Sequence, residues 1–243
     1  QPDAEVEIFA YDESTSIPGG VETYDGIVWT GSSLTIYRLD DGPVRDQIAL
    51  AREGYDKGVP QFGSCYAAQM AVMAADGECG RNPKGREFGI TEDIILTDDG
   101  KAHPLFRGRQ GPIRNFTSHG DIVTTLPEGA MLLAYNDFTP VQAVAVEHGD
   151  GTFWAVQYHP EYNFNEVARI GKLWRRSLIK LGRFADEEDA DGYIAALDGL
   201  QQDDTRQDLA NRAGASRDVI DLELRLTEVR NWLDAAVLPR LGG

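Results

Sequence analysis

The sequence predicts an α/β fold with a mainly parallel sheet and a helical extension behind it. Three observations carry that expectation. Short apolar runs alternate with helix-like stretches from Gln1 to about Gly182, turn residues punctuate the runs, and the composition shifts beyond Arg183. The chain has 243 residues, 42% hydrophobic and 26% charged, which is room for one large domain or a domain with an appendage.

Val6 to Ala10 alternates and reads as a strand. Ile27 to Thr30 is a compact strand ending in Gly31-Ser32-Ser33. Val44, Ile48, Ala51 and Tyr55 fall at helical spacing in a helix that stops at Gly58. Val59 to Gly63 is another short strand, and Cys65 follows it at once. Ala67 to Ala75, small and apolar, suits a buried helix. Five β-like runs come next: Ile90–Thr97, Ile113–Thr117, Met131–Tyr135, Val141–Glu147 and Phe153–Tyr158. Asp98-Asp99-Gly100, Pro127-Glu128-Gly129 and His148-Gly149-Asp150-Gly151 separate some of them, and the last reads as a hairpin loop. Asn165 to Leu181 returns to helical periodicity.

These features divide the chain into residues 1–182 and an acidic helical extension, 183–243, that opens with Asp186-Glu187-Glu188-Asp189. In the extension Val219, Leu222, Leu226, Val229, Leu233 and Ala236 step by threes and fours, predicting a helix with one apolar stripe. Asp221 and Arg225, four apart, support it. The stripe must be buried against the main domain or in a homodimer through the C-terminal helix.

Acidic residues number 40 against 23 basic ones, a net charge of −17. Such a surface repels phosphate backbones and anionic lipid, so neither nucleic acid nor a membrane is an expected partner. No apolar run approaches the roughly 20 residues that cross a bilayer. Two cysteines, Cys65 and Cys79, are too few for a disulfide framework and point to a reducing, cytoplasmic setting. They are too few for an unaided zinc site, the acidic run lacks the Gly and closing Glu of a calcium loop, and no phosphate-loop pattern occurs. No metal or cofactor is expected.

Phe62-Gly63-Ser64-Cys65-Tyr66-Ala67-Ala68-Gln69 is the strongest chemical signal. A Cys between a short strand and a helix of small residues forms a sharp turn that exposes the sulfur at a helix N-terminus, which favours its thiolate. Alone, the motif fits a buried structural Cys equally well. His159, just past a strand in Gln157-Tyr158-His159-Pro160-Glu161, is the second signal. Extended geometry lets His159 and Glu161 point the same way, so the carboxylate can hold one ring nitrogen and leave the other for a thiol.

Gly63-x-Cys65-x-Ala67-x-Gln69, followed by Ser118-His119-Gly120-Asp121 and by Gln157 to Glu161, resembles a class I glutamine amidotransferase domain, especially the GMP-synthase-like ones. Tyr24 to Val28 leading into Thr30-Gly31-Ser32, Arg81-Asn82-Pro83 with Glu87-Phe88-Gly89, and Leu126 to Ala130 add to the likeness, in order from about Tyr24 to Tyr162. The resemblance implies a three-layer, flavodoxin-like sandwich with an antiparallel subsheet. It implies a triad in which Cys65 attacks glutamine, His159 moves protons and Glu161 orients His159. Backbone N–H groups of Tyr66 and of the Gly31-Ser32 loop would hold the oxyanion, and Gln69, Ser118 and His119 would hold the substrate's amino-acid end. L-glutamine would be hydrolysed through a γ-glutamyl thioester, with ammonia passed to an acceptor on a synthase subunit.

Two residues depart from the family pattern: Ala67 stands where Gly is usual, and Gln61 where an apolar residue is usual, so a buried amide there needs partners. The family's opening strand and helix have no counterpart before Val6, which predicts a further N-terminal portion or a rearrangement. Two other functions fit the same residues: a γ-glutamyl hydrolase or peptidase, and a catalytically silent binding module using its acidic tail.

Overall fold

The computed structural model describes residues 4–10 and 17–242. Its centre is a six-stranded sheet made of β1 (Ile27–Trp29), β2 (Gln61–Ser64), β5 (Ile95–Leu96), β8 (Ala130–Tyr135), β9 (Ala143–His148) and β10 (Gly151–Val156), in the order β1-β2-β10-β9-β8-β5. β2 lies between β1 and β10 and is parallel to both, while β10–β9, β9–β8 and β8–β5 are antiparallel. The sheet is therefore mixed, not mainly parallel. The reason is local: β9 and β10 are joined by the tight turn at Gly149-Asp150, with His148 opposite Gly151, and such a hairpin can only pair antiparallel.

Helices cover both faces. α1 (Gly42–Asp56) and α2 (Tyr66–Ala74) bury Ala51, Tyr55, Ala67 and Met70 against Val144, Val146, Phe153 and Ala155. On the opposite face Phe62, Trp154 and Val156 meet Leu105, Phe106 and Trp232. Two small ladders lie outside the main sheet: β3 (Glu78–Arg81) with β7 (Asp121–Thr125), and β4 (Glu87–Ile90) with β6 (Phe116–His119).

Several expectations change. Val6–Ala10 is no strand: Val6 and Ile8 are 76% and 90% exposed, and with no neighbouring ladder alternation alone makes none. Ile90–Thr97 splits into the end of β4 and the short β5, and Ile113 only bridges Ile94, the strand proper starting at Phe116. Asp98-Asp99-Gly100 is not a turn but opens α3 (Asp98–Ala102), with the Thr97 hydroxyl accepting from Gly100 N–H at 2.9 Å.

α4 (Phe164–Lys180) begins with a reciprocal cap between Asn163 and Glu166. It packs with α5 (Glu187–Gln202) and α6 (Gln207–Ala213) around Phe88, Phe164, Tyr193 and Leu197. The long amphipathic helix is broken into α7 (Arg217–Ile220), α8 (Leu222–Arg225) and α9 (Thr227–Trp232). Asp221 causes the first break, because its carboxylate accepts from the N–H groups of Glu223 and Leu224 and starts a new helix. Asp221 sits 3.7 Å from Arg217 instead of pairing with Arg225. Val219 and Trp232 are buried within the chain's own cores, whereas Leu222 is half exposed. No helix among the described residues is long and apolar enough to cross a membrane.

Candidate active site

Two adjacent parallel strands carry Cys65 and His159 to one edge of the sheet. Ser64 pairs with Val156, and Cys65 N–H continues the ladder to the Val156 carbonyl at 2.8 Å. Cys65 then turns at φ 56°, a left-handed conformation uncommon for a residue with a Cβ, before α2 begins at Tyr66. The turn needs its small neighbours. A Cβ on Gly63 would lie 2.3 Å from the Ala67 methyl and 2.7 Å from Trp29 O, so the strand–helix approach admits Ala67 but no side chain at Gly63.

His159 follows β10 and is 2% exposed. Its Nδ1 lies 2.7 Å from Glu161 Oε1, which also accepts the Ser64 hydroxyl at 2.8 Å. Nε2 is buried and belongs to the ring edge that shares Gly31 with Cys65: a Cβ on Gly31 would meet His159 Cε1 at 2.8 Å and Cys65 Cβ at 3.7 Å. Burial alone would depress this imidazole, but the charge and hydrogen bonding of Cys65 and Glu161 outweigh it and raise His159 to about 10. Partial burial of Glu161, whose side chain is 41% exposed, pushes its carboxyl up, but His159 and Ser64 hold it below the usual carboxylate range. Tyr162 stacks on the imidazole at 3.9 Å with an interplanar angle of 6°. The structure thus brings Cys65, His159, Glu161 and Gly31 together.

Comparisons with known proteins show the family. The family model for glutamine amidotransferase class-I matches residues 1–169. The chain belongs to that family. It is 35% identical over 224 residues to the gamma-glutamyl-L-1-hydroxyisopropylamide hydrolase of Pseudomonas sp., covering 89% of this chain and 74% of that protein. It is 31% identical over 170 residues to the GMP synthase [glutamine-hydrolyzing] of a Nitratiruptor species, covering 67% of this chain but only 31% of the synthase. The chain thus spans about a third of the length of that synthase. The fold is similar to a glutamine amidotransferase from Thermotoga maritima, with a TM-score of 0.60, 20% identity, and 92% and 82% of the two chains covered.

The remaining residues expected at the site take different positions. Gln69, one helical turn after Cys65 and 3% exposed, donates to Asp121 O at 3.0 Å and approaches Gln157 Oε1 at 3.4 Å. His119 reaches the same Asp121 carbonyl through Nδ1 at 3.0 Å and the buried Glu87 carboxylate through Nε2 at 2.9 Å. Both partners are acceptors, so His119 shapes the turn carrying Asp121, and its ring nitrogens are occupied. Ser118 is half-buried in β6, opposite Phe88. Exposed Ser32 accepts from Leu34 N–H at 3.1 Å in the loop beside Gly31.

Four contributors had no role assigned from sequence: Ser64, Tyr162, Glu87 and Arg86. Ser64 was visible inside the elbow motif, but only the strand register shows that it meets Glu161. Arg86, half-buried with its Cζ 3.9 Å above the Trp174 ring, lines a cleft of about 230 Å³ with Tyr37, Gly120 and Asp121. Burial lowers the Arg86 guanidinium somewhat, with Cys65 and Asp121 opposing. Cys79 donates to Gln69 O at 3.5 Å and burial pushes its thiol up to about 12, which suits a structural residue. No cluster of three or more metal-ligating side chains occurs among the described residues.

Proposed function

We propose that this chain hydrolyses the γ-amide bond of γ-glutamyl compounds through Cys65, His159 and Glu161. One observation carries the reading: a buried imidazole held by a carboxylate on one nitrogen, with its other edge turned to a cysteine in a nucleophile elbow. The Cys65 sulfur adds to the γ-carbonyl carbon. N–H groups of Tyr66 and of the Gly31-Ser32 loop stabilise the resulting oxyanion. The C–N bond breaks as the His159 imidazolium gives its proton to the departing nitrogen, leaving a γ-glutamyl thioester. Neutral His159 then takes a proton from water, which attacks the thioester. Breaking the C–S bond releases glutamate and restores the thiolate–imidazolium pair. Glu161 keeps Nδ1 protonated and the ring aligned throughout. Gln69, Asp121 and the Ser118-His119 turn border the substrate's amino-acid end.

The Pseudomonas relative, matched over most of both chains, favours an N-substituted γ-glutamylamide as donor with an amine as leaving group. A second reading, supported by the likeness to GMP synthase, takes L-glutamine and passes ammonia to a separate synthase subunit. Glutamate release from L-glutamine and from a γ-glutamyl-N-alkylamide, measured side by side, separates the two. Cys65→Ala should abolish both reactions while the protein stays folded. Turnover surviving in that variant would sink the mechanism.

A further inference from the structure

The C-terminal segment holds the turn that carries His159 through Arg225. Arg225 of α8, 7% exposed, donates through Nε to Pro160 O at 3.3 Å and through Nη1 to Val219 O at 2.6 Å. Its guanidinium lies 5.5 Å from the Phe116 ring centroid, and Phe116 O accepts the His159 N–H at 2.7 Å. One turn further along, fully buried Glu228 takes two bonds from Arg109, at 2.8 and 2.9 Å, while Arg109 also reaches Asp218 at 3.1 Å. Tyr158, fully buried, is kept un-ionised by burial and by the neighbouring Glu228.

Among the described residues Arg225 makes no ion pair within 4.0 Å; Glu166 and Asp221 act on its charge from farther away, and its hydrogen bonds go to two backbone carbonyls. Burying a charge on such terms is expensive, and an apolar side chain would fill the space at lower cost. What the guanidinium adds is direction: it fixes the carbonyl of the residue between His159 and Glu161. Pro160 itself has no N–H, so the carbonyl is the one backbone group through which this residue can be hydrogen-bonded.

We infer that Arg225 is a positioning residue for His159, holding the His159-Pro160-Glu161 turn so that the imidazole stays aligned with Cys65. The inference rests on the triad reading above. The groups acting on the imidazole are Cys65 from the elbow and Glu161 and Tyr162 from its own turn, and Arg225 acts through the Pro160 carbonyl. The C-terminal extension is, on this view, a working part of the site.

The test compares Arg225→Met, Arg225→Lys and Asn231→Ala in the full chain. Asn231 is a control from the same segment, bonding to Leu105 O and Arg107 O, away from the His159 turn. Turnover of a γ-glutamyl amide is measured together with the pH dependence of Cys65 alkylation by iodoacetamide, read peptide by peptide by mass spectrometry. Arg225→Met should lower kcat by about tenfold or more with KM little changed, because a small misplacement of a reacting group is that damaging. Its alkylation profile should shift, and Arg225→Lys should restore most of both. Asn231→Ala should lower Tm and move neither. Wild-type kcat and profile in Arg225→Met, or equal shifts in Asn231→Ala, would overturn the inference. If Arg225→Met does not fold, Arg225→Gln carries the same comparison. If the wild type turns over no γ-glutamyl compound, the proposed function fails, and the alkylation profiles alone decide the role of Arg225.

Discussion

Ser64 donates its hydroxyl to Glu161 at 2.8 Å, across 97 residues of sequence, onto the same oxygen that holds His159. The residue just before Cys65 thus steadies the carboxylate that holds the imidazole. Removing one such bond is worth ~1 kcal/mol, so Ser64→Ala should lower kcat about fivefold. Steady-state kinetics with unchanged KM would check this.

Glu161→Gln keeps the shape of the site but offers His159 an uncharged partner. The imidazolium loses its counter-charge and the tautomer is no longer enforced. A fall in kcat on the order of 10²–10⁴ is expected, together with a lower Tm at neutral pH, because the buried imidazolium is left without its counter-charge. A loss of less than about tenfold would move Glu161 out of the triad.

Gly31→Ala tests the other wall. Its methyl carbon would sit 2.8 Å from His159 Cε1, so ring or loop must shift. A loss of at least about a hundredfold in kcat follows from such a displacement, since reacting groups tolerate little misplacement. Circular dichroism should show an unchanged fold.

Cys65 carries its left-handed turn with a Cβ attached. Cys65→Gly should therefore be more stable than Cys65→Ala by ~1 kcal/mol, although both are inactive. Denaturant midpoints of the two variants make the comparison direct.

The pH dependence follows from the His159 shift. Its ordinary value of 6.5 is raised to about 10 in the folded site, so the imidazole holds its proton through neutrality, as the proposed mechanism needs. Activity should fade as pH rises towards 10. The sign for folding is the same: this group's contribution to stability is complete below about 6.5 and lost as pH climbs through about 10. Denaturant titrations of wild type and His159→Gln across that window should converge at the alkaline end.

The elbow, the His-x-Glu pair and the hairpin were legible because each rests on neighbours in sequence. Gln61 shows how far that reach extends: a buried amide there demanded partners, and Trp29 Nε1 and Ala51 O supply them at 2.8 and 2.9 Å. What the sequence hid depends on distant pairing. β3 and β7 are short and half-exposed, with no periodicity of their own, and exist because they pair with each other. The apolar stripe of the tail was visible, but Asp221 breaks the helix by bonding its own backbone. Arg225, read as a partner for Asp221, turned out to hold Pro160.

Sulfur and imidazole ride on neighbouring parallel strands, tied at Ser64–Val156 by the ladder itself. The sheet consequently fixes where the two segments start, and only the short turn from Val156 to His159 is left for other contacts to hold. The link between β3 and β4, which belongs to neither strand, can be lengthened, recharged or reshaped without moving the two strand ends that carry Cys65 and His159.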